Sequence, residues 1–274
     1  DFLFIDEAGQ VRLADLISIG NIAKNIVLIG DQNQLGQPIK GTHPNNSGQS
    51  ILDYLLEGKD TIPEDRGIFL NKTYRLHSKI NNFISSNFYE ERLICDERTD
   101  KRVIHFNKNS MIKDSGIHFI EMKHENNIQT SLEEFEVVNK LMKQMIGSDY
   151  EDNGKKRKLN VEDFLIISPY NTQVNLLISK LEEAKVKNPK VGTIDKFQGQ
   201  EAPITIISMT SSDSDSLPRN KEFFFSRNRL NVAISRAQVA SIILFNPLLL
   251  DSSPKNLDHI KLMNNFFKFL NYKI

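Results

Sequence analysis

The chain has 274 residues, enough for one large domain or two ordinary domains with a sizeable buried core. Its 35 basic residues balance its 35 acidic residues, so bulk charge gives no argument for nucleic-acid binding, and any such surface must be a local groove. The single cysteine, Cys95, excludes an intramolecular disulfide and a cysteine metal cluster, which suits a reducing cytoplasm or nucleus. The longest apolar run, around residues 240–245, is too short to span a bilayer, so no membrane partner is expected.

The first 70 residues predict a β-α-β unit. Two short apolar runs, residues 2–5 and 26–29, each end in acidic or glycine residues, as buried parallel strands do when their carboxyl ends carry functional loops. Between them, Leu13, Leu16 and Ile17 recur at helical spacing and predict a crossover helix. The segments that follow predict, in order, a surface loop (36–48), a short helix (50–56), a strand (68–70) and a longer helix (78–89).

The remainder of the chain predicts a second α/β unit. Its apolar patterns alternate between strands and helices at a spacing typical of a mostly parallel sheet that helices cover on both faces. Strands are predicted over residues 117–121, 164–167, 191–194, 204–209 and 242–245, and helices over 132–146 and 173–184. Two polar stretches are predicted as loops. The basic run Lys155-Lys156-Arg157-Lys158 is interpreted as a solvated linker rather than a nucleic-acid patch, and residues 211–216 as an acidic surface loop.

Several polar segments stand at the ends of these predicted elements. In chain order they are Asp6-Glu7-Ala8-Gly9-Gln10, Gly30-Asp31-Gln32-Asn33-Gln34-Leu35, Tyr74-Arg75, Thr193-Ile194-Asp195-Lys196-Phe197-Gln198-Gly199-Gln200-Glu201 and Leu230-Asn231-Val232-Ala233-Ile234-Ser235-Arg236-Ala237. Together, and over nearly the whole chain, they resemble motifs II to VI of superfamily 1 helicases, in the branch around the nonsense-mediated-decay RNA helicase.

This resemblance implies a fold, a cofactor and a partner. The fold would be RecA-like α/β, with the C-terminal part of a first domain over residues 1–70 and a complete second domain over residues 71–274. The activity would be that of a motor that hydrolyses ATP with Mg²⁺ in the cleft between the two domains. Such a motor moves along single-stranded RNA or DNA, in the 5′-to-3′ direction in the branch that this chain resembles.

Asp6 and Glu7 follow an apolar strand, at the edge where carboxylates of open α/β sheets face their ligands. Phosphoryl transfer needs one carboxylate that holds Mg²⁺, usually through water, and another that orients or activates the attacking water. Asp6 fits the first role and Glu7 the second, although an isolated Asp-Glu pair would more simply begin a turn. The resemblance adds Gln10, which would line the nucleotide site, and Gln34, whose amide would reach the terminal phosphate and the attacking water.

Tyr74 and Arg75 are predicted to bind the two ends of the nucleotide. Tyr74 offers a flat ring on which adenine would stack, and Arg75 offers a rigid guanidinium for the terminal phosphate. A core tyrosine beside a surface arginine is the alternative interpretation. Further along, Gly199 allows the backbone to approach phosphate closely, and Glu201 would accept a hydrogen bond from a ribose hydroxyl.

Arg236 is predicted to be an arginine finger, and Arg229 is predicted to support the same cleft by touching phosphate or bracing motif V. Two neighbours depart from the family pattern. Asn228 stands where another arginine is common, and Gln238 stands where a basic residue is usual. These departures leave the finger intact and put the strength of the flanking contacts in doubt.

A second set of residues resembles the contacts that the second domain makes with the nucleic-acid backbone. These are Ser168, Pro169 and Tyr170, together with Thr193. Hydroxyl and backbone donors of this kind position a strand without reading its sequence. Taken singly, each of them could equally be a helix cap.

The sequence contains no Gly-x-x-x-x-Gly-Lys-Ser/Thr phosphate-binding loop. The nearest approach, Gly58-Lys59-Asp60, ends in the wrong residue. We therefore expect the chain to be the C-terminal portion of a motor whose N-terminal part supplies this loop, and we expect the chain alone to be inactive. The expected location is the cytoplasm or, in a eukaryote, the nucleus. Two alternatives stay open: a non-catalytic nucleic-acid-binding or regulatory module, and the helicase part of a helicase–nuclease fusion.

Overall fold

The computed structural model describes residues 1–37, 41, 43–213, 226–251, 260, 264 and 267. Within these ranges the strands are β1 (Phe2–Ile5), β2 (Asn25–Leu28), β3 (Lys72–Thr73), β4 (Ile94–Cys95), β5 (Arg102–His105), β6 (Gly116–Glu121), β7 (Asp149–Asp152), β8 (Lys155–Lys158), β9 (Phe164–Ile167), β10 (Val191–Gly192), β11 (Ala202–Ser208) and β12 (Ala237–Phe245). The α-helices are α1 (Leu13–Ile19), α2 (Ile51–Leu56), α3 (Ser78–Phe88), α4 (Leu132–Met145), α5 (Asn171–Glu183) and α6 (Arg227–Ser235). In the described part of the chain, no helix combines the length and the apolar character that crossing a bilayer requires.

A five-stranded parallel sheet organises most of the chain, with strand order β10-β9-β11-β12-β6. Successive side chains of a strand point to opposite faces, so Leu165 and Ile167 pack in one apolar cluster with α3 and α6. Phe164 and Ile166 pack in a second cluster with α4 and α5. The predicted α/β fold, with a parallel sheet that helices cover on both faces, is therefore confirmed.

The first unit is a smaller β-α-β arrangement, as predicted. β1 and β2 pair in parallel across α1, and a separate apolar cluster joins Ile5 and Ala8 to α2. Contrary to expectation, these strands are not buried: the side chains of Phe2 and Phe4 are 63% and 66% exposed. The residues that alternate with them pack on α1 and α2, so the described elements cover only one face of this strand pair.

Two predicted elements are wrong. Residues 68–70 do not form a strand, and Ile68 is 86% exposed; the neighbouring strand is β3, which pairs in parallel with β4 around α3. The basic run predicted as a linker is strand β8, which pairs antiparallel with β7 at the edge of a sheet ordered β5-β7-β8. The reason is the turn at Asn153 and Gly154, whose φ angles of 49° and 85° suit a two-residue hairpin.

Smaller differences concern the ends of elements. β12 begins at Ala237 rather than 242, and β10 stops at Gly192 because a 3-10 turn over Ile194–Phe197 follows it. Helix α6 was not predicted. Of the loops predicted over residues 36–48 and 211–216, positions 38–40, 42 and 214–216 lie outside the described residues.

Candidate active site

The loops that follow β1 and β2 are pressed against each other. The Ala8 N–H donates to the Ile29 carbonyl over 2.9 Å, which continues the pairing of the two strands. A Cβ on Gly9 would lie 2.5 Å from the Asp31 carbonyl oxygen, and one on Gly30 would lie 2.6 Å from the Ala8 nitrogen. Only glycine fits at either position, so close packing of the loops explains both residues.

Asp6 and Glu7 lie exposed at the carboxyl end of β1. The Glu7 N–H donates to Asp6 Oδ1 over 2.8 Å, and Gln10 Nε2 donates to Glu7 Oε2 over 3.2 Å. Glu7 has φ 53°, a left-handed conformation that is rare outside glycine and concentrates at functional sites. These residues fit Mg²⁺, which needs one or two hard carboxylate ligands and takes its other oxygens from water and phosphate.

Gln34 lies in the loop after β2 and faces the carboxylate beside it. Its Nε2 donates to Asp31 Oδ2 over 3.0 Å. The same oxygen accepts a hydrogen bond of 2.6 Å from the hydroxyl of Tyr89, at the end of α3. The sequence analysis assigned no role to Asp31 or Tyr89, because the contact joins residues 58 positions apart.

Helix α6 holds this same loop from the other side. Asn231 Nδ2 donates to the Asn33 carbonyl over 2.8 Å and to the Tyr89 hydroxyl over 3.2 Å. Asn228 Nδ2 donates to the carbonyls of Gln32 and Gln34 over 2.9 and 2.8 Å. Asn228, which departs from the family pattern, thus has a structural explanation: a short amide reaches two backbone carbonyls of the loop.

One further ion pair crosses between α6 and the first unit. Both terminal nitrogens of Arg227 bind the two carboxylate oxygens of Asp60, over 2.6 and 2.8 Å. Asp60 belongs to the segment that came nearest to a phosphate-binding loop in the sequence. In the structure this segment ends α2 with left-handed Glu57 and Gly58, at φ 52° and 81°, and Asp60 binds arginine.

The two predicted phosphate-binding arginines lie close together. Arg75 donates from Nε to Glu201 Oε2 and over 3.4 Å from a terminal nitrogen to the Ser235 carbonyl. Arg236 is 3% exposed and donates to the carbonyls of Val232 and Gln200, each over 3.3 Å. The Glu201 carboxylate accepts its second contact, of 2.8 Å, from Gln238 Nε2.

The pKa of Arg236 reflects the charged groups that surround it. Burial lowers its pKa to about 10, and the positive charge of Arg75 acts in the same direction. The carboxylates of Glu201 and Glu7 oppose this shift. The guanidinium therefore stays charged at neutral pH, inside a site that also contains a candidate catalytic carboxylate from the first unit.

Tyr74 lies at the rim of this site, with 56% of its side chain exposed. The guanidinium of Arg98 lies 5.2 Å from the ring centroid and the ammonium of Lys72 lies 5.7 Å from it. Both cations bind Asp96, over 2.7 and 2.9 Å. The ring thus has exposed surface for a planar ligand and is approached by two cations.

Gly199 and Arg229 flank the predicted cleft. Gly199 has φ 75°, and a Cβ added there would meet no atom of the described residues within 4 Å, so its left-handed turn, not crowding, favours glycine. Arg229 donates from a terminal nitrogen to Asp195 Oδ2 over 3.2 Å. The roles predicted for these two residues stay predictions.

The predicted strand-contacting residues lie at the carboxyl ends of β9 and β10. The Ser168 N–H donates to the Gly192 carbonyl over 3.1 Å, which brings this segment beside Thr193. Ser168 and Tyr170 are buried, and their hydroxyls lie 3.1 Å from Thr210 Oγ1 and 3.5 Å from Ser211 Oγ. Pro169 and Thr193 are partly exposed, so only these two present side-chain surface to a strand as the structure stands.

The AAA domain family model matches residues 48–247, so the chain belongs to that family. It is 29% identical over 288 residues to the DNA replication ATP-dependent helicase/nuclease dna2 of Schizosaccharomyces pombe, which covers 95% of this chain and 19% of that protein. It is 29% identical over 245 residues to the DNA polymerase alpha-associated DNA helicase A of the same yeast, and the match covers 86% of this chain and 36% of that protein. It is 29% identical over 283 residues to the probable RNA helicase armi of Drosophila melanogaster, and the match covers 90% of this chain and 23% of that protein.

These relatives confirm the resemblance to superfamily 1 helicases that the motifs predicted. The chain spans only 19% to 36% of the lengths of the three relatives. Two of the three relatives are named for DNA and one is named as an RNA helicase. The name of the dna2 relative also includes a nuclease.

Proposed function

We propose that the chain supplies catalytic and strand-contacting parts of an ATP-dependent superfamily 1 helicase. The observation that carries the proposal is the convergence of Arg75 and Arg236, from segments far apart in sequence, beside Glu201 and within electrostatic reach of Glu7. A site with two arginines and a carboxylate at a strand end suits transfer of a phosphoryl group to water. The helicase relatives support the same conclusion.

Each residue of the site then has a defined task. Glu7 accepts a hydrogen bond from the attacking water and orients it, and Gln34 supports that water from the neighbouring loop. Arg75 and Arg236 bind the terminal phosphate oxygens, and a phosphate would compete with Glu201 for the Arg75 fork. Asp6 would hold Mg²⁺, which would neutralise phosphate charge when bound.

The division into domains, residues 1–70 and 71–274, is part of this proposal. The contacts between α6 and the loop after β2 cross that boundary, and they involve the helix that leads directly into Arg236. Nucleotide bound beside Arg236 and Gln34 therefore acts on both sides of the boundary at once. Opening and closing there would move the segment that contains Ser168 and Thr193 relative to the first unit.

Single-stranded nucleic acid is the proposed track, with contacts from Pro169 and Thr193 and 5′-to-3′ movement as in the branch that the motifs resemble. The choice between RNA and DNA stays open, because a relative named as a DNA helicase and one named as an RNA helicase are each 29% identical to the chain. The cytoplasm, or the nucleus in a eukaryote, is the proposed location.

The experiment is a translocation and unwinding assay of the complete gene product on DNA and RNA substrates of matched sequence. The proposal predicts ATP hydrolysis that single strands stimulate, and unwinding that depends on hydrolysis. Comparison of the two substrates identifies the track. Tight strand binding with no ATP hydrolysis would instead support a non-catalytic binding module.

A further inference from the structure

A cluster of polar side chains lies fully buried at the carboxyl edge of the five-stranded sheet. At its centre is Glu134 of α4, which has no exposed surface. Its carboxylate accepts the backbone N–H of Thr210, over 2.9 and 3.0 Å, and the hydroxyl of Ser208. Burial raises the pKa of Glu134, and its hydrogen bonds, with that of His124 first, act in the opposite direction.

The hydrogen bonds of His124 are mutually consistent. Its Nδ1 lies 2.8 Å from Ser212 Oγ and 3.4 Å from the Asn246 amide nitrogen, which can only donate. Nδ1 is therefore the acceptor, which places the ring proton on Nε2, 3.4 Å from Glu134 Oε1. Donors from β11, from the loop after it and from the loop after β6 thus all point at one carboxylate.

Thr210 shows what this carboxylate holds in place. Its φ is 72°, a left-handed conformation that is unfavourable for a β-branched residue and persists only when its surroundings impose it. The two contacts from Glu134 to its N–H stabilise this backbone turn, together with hydrogen bonds from the Ser211 N–H to the Met209 carbonyl over 2.8 Å and from Thr210 Oγ1 to the Ser208 carbonyl over 3.2 Å. The turn directs the chain so that the Thr210 and Ser211 hydroxyls meet Ser168 and Tyr170.

The same loop binds a third segment. Ser211 Oγ donates to the Ile128 carbonyl over 2.6 Å, and the Ser212 N–H donates to the Asn127 carbonyl over 2.8 Å. The loops after β6, β9 and β11 are therefore joined in one layer beside the partly exposed Pro169 and the exposed Asn171 and Thr172 at the start of α5. At the carboxyl ends of parallel strands, such a layer forms the floor of a ligand crevice.

We propose that Glu134 is a positioning residue for single-stranded nucleic acid. Through Thr210 it fixes the loop after β11 against the Ser168-Pro169-Tyr170 segment, and so sets the shape of the edge that contacts the strand. The inference rests on the proposed function, because it takes that segment as part of the strand site. Glu134 itself touches neither strand nor nucleotide.

The test is the affinity of the complete gene product for a fluorescein-labelled oligothymidylate and for the matching oligouridylate, measured by fluorescence anisotropy. Glu134→Gln keeps the shape of the side chain but leaves one acceptor oxygen for several donors. It should weaken strand binding by about tenfold or more. Glu136→Gln is the matched control, since it removes the same charge from an exposed position on the same helix and should bind as the wild type does.

Hydrogen exchange of the same samples shows where the change occurs. The backbone amides of residues 210–212 should exchange faster in Glu134→Gln than in the wild type. In Glu136→Gln their exchange rates should be unchanged. Adding Thr210→Gly to Glu134→Gln should restore part of the affinity, because glycine adopts φ 72° without an imposed contact. If Glu134→Gln does not fold, Ser208→Ala removes one donor and should weaken binding by about threefold.

The outcomes separate this inference from the function on which it rests. A wild-type chain that binds neither oligonucleotide overturns both. A wild-type chain that binds, with Glu134→Gln binding equally well while its loop exchanges faster, overturns only the role of Glu134. Loss of affinity that Thr210→Gly repairs supports positioning, since general damage to the core would not be repaired at that residue.

Discussion

The hydroxyl of Tyr89 donates a hydrogen bond of 2.6 Å to Asp31 Oδ2, and this contact joins the end of α3 to the loop that contains Gln34. Asn231 of α6 donates to the same hydroxyl. Burial, with the neighbouring Asp31 charge, raises the pKa of Tyr89, which favours the protonated hydroxyl that donates this bond. Tyr89 therefore links the loop of Gln34 to the helix before Arg236, beside the direct contacts that Asn228 and Asn231 make with that loop.

Tyr89→Phe should lower the free energy of unfolding by about 1.5–3 kcal/mol, because Asp31 loses a donor and Asn231 loses an acceptor in a buried place. The measurement is the urea midpoint of the transition. Tyr54→Phe provides the control, since Tyr54 is 51% exposed. Equal midpoints for the two variants would show that the Tyr89 hydroxyl does not stabilise the fold.

Asp96 should make the stability of the protein sensitive to acid. Hydrogen bonds from Arg98 and then from Lys72 hold the pKa of this carboxyl far below its usual value of 3.8. A folded-state pKa below the unfolded value means that the stabilisation is fully present above pH 3.8 and is lost as the pH falls below it. Asp96→Asn should therefore show a smaller fall in melting temperature than the wild type on acidification through that range.

The exposed position Asp65 offers the control for this comparison. Asp65→Asn should keep the wild-type dependence of melting temperature on pH. If Asp96→Asn and Asp65→Asn gave the same curve, the ion pairs beside Tyr74 would have no measurable effect on stability.

The sequence predicted the sheet well where local pattern alone decides the structure. β1 and β9 have the predicted bounds, because a short apolar run before a polar loop is typical of a parallel strand, although only β9 is fully buried. The hairpin of β7 and β8 was missed although Asn153-Gly154 is a strong turn signal, since the dense charge of Lys155–Lys158 favoured a solvated loop. Ion pairs such as Lys158 with Asp149, at 2.8 Å, make that charge compatible with a strand.

The candidate site was predictable only in part, because its contacts join distant segments. The motifs placed Arg75 and Arg236 in one cleft, and the structure brings them together. The pairing of Arg75 with Glu201 depends on residues 126 positions apart. Glu134 looks like any polar residue of an amphipathic helix, and its donors lie on β11 and in the loop after it, 74 and 76 positions later.

Glu7→Gln in the complete gene product should abolish ATP hydrolysis and leave nucleotide affinity close to that of the wild type. The amide keeps the shape of the side chain but cannot accept the proton of the attacking water or polarise it as strongly. Single-turnover hydrolysis and equilibrium binding of a fluorescent ATP analogue measure the two properties separately. A parallel fall in affinity and turnover would make Glu7 a binding or metal residue.

The 274-residue chain by itself should fold but should not hydrolyse ATP at a measurable rate. A phosphate-binding loop supplies backbone N–H groups and a lysine for the phosphates and a hydroxyl for Mg²⁺, and the sequence has no such motif. Missing contacts of this kind, at about 1.5–3 kcal/mol each, weaken nucleotide binding by orders of magnitude. Circular dichroism and Mg²⁺-dependent phosphate release check the two parts. Turnover at an ordinary helicase rate would show that another segment binds the phosphates.

The most direct measurement of the proposed function is the rate of strand-stimulated ATP hydrolysis by the complete gene product with Arg236→Lys. Lysine keeps the positive charge but lacks the planar fork that binds two phosphate oxygens. Arg66→Lys, at an exposed position of the first unit where the arginine pairs with Glu57, is the control and should hydrolyse ATP as the wild type does. We predict a loss of about 10³-fold or more for Arg236→Lys with strand binding retained; a loss of less than about tenfold would contradict the role of Arg236 as an arginine finger.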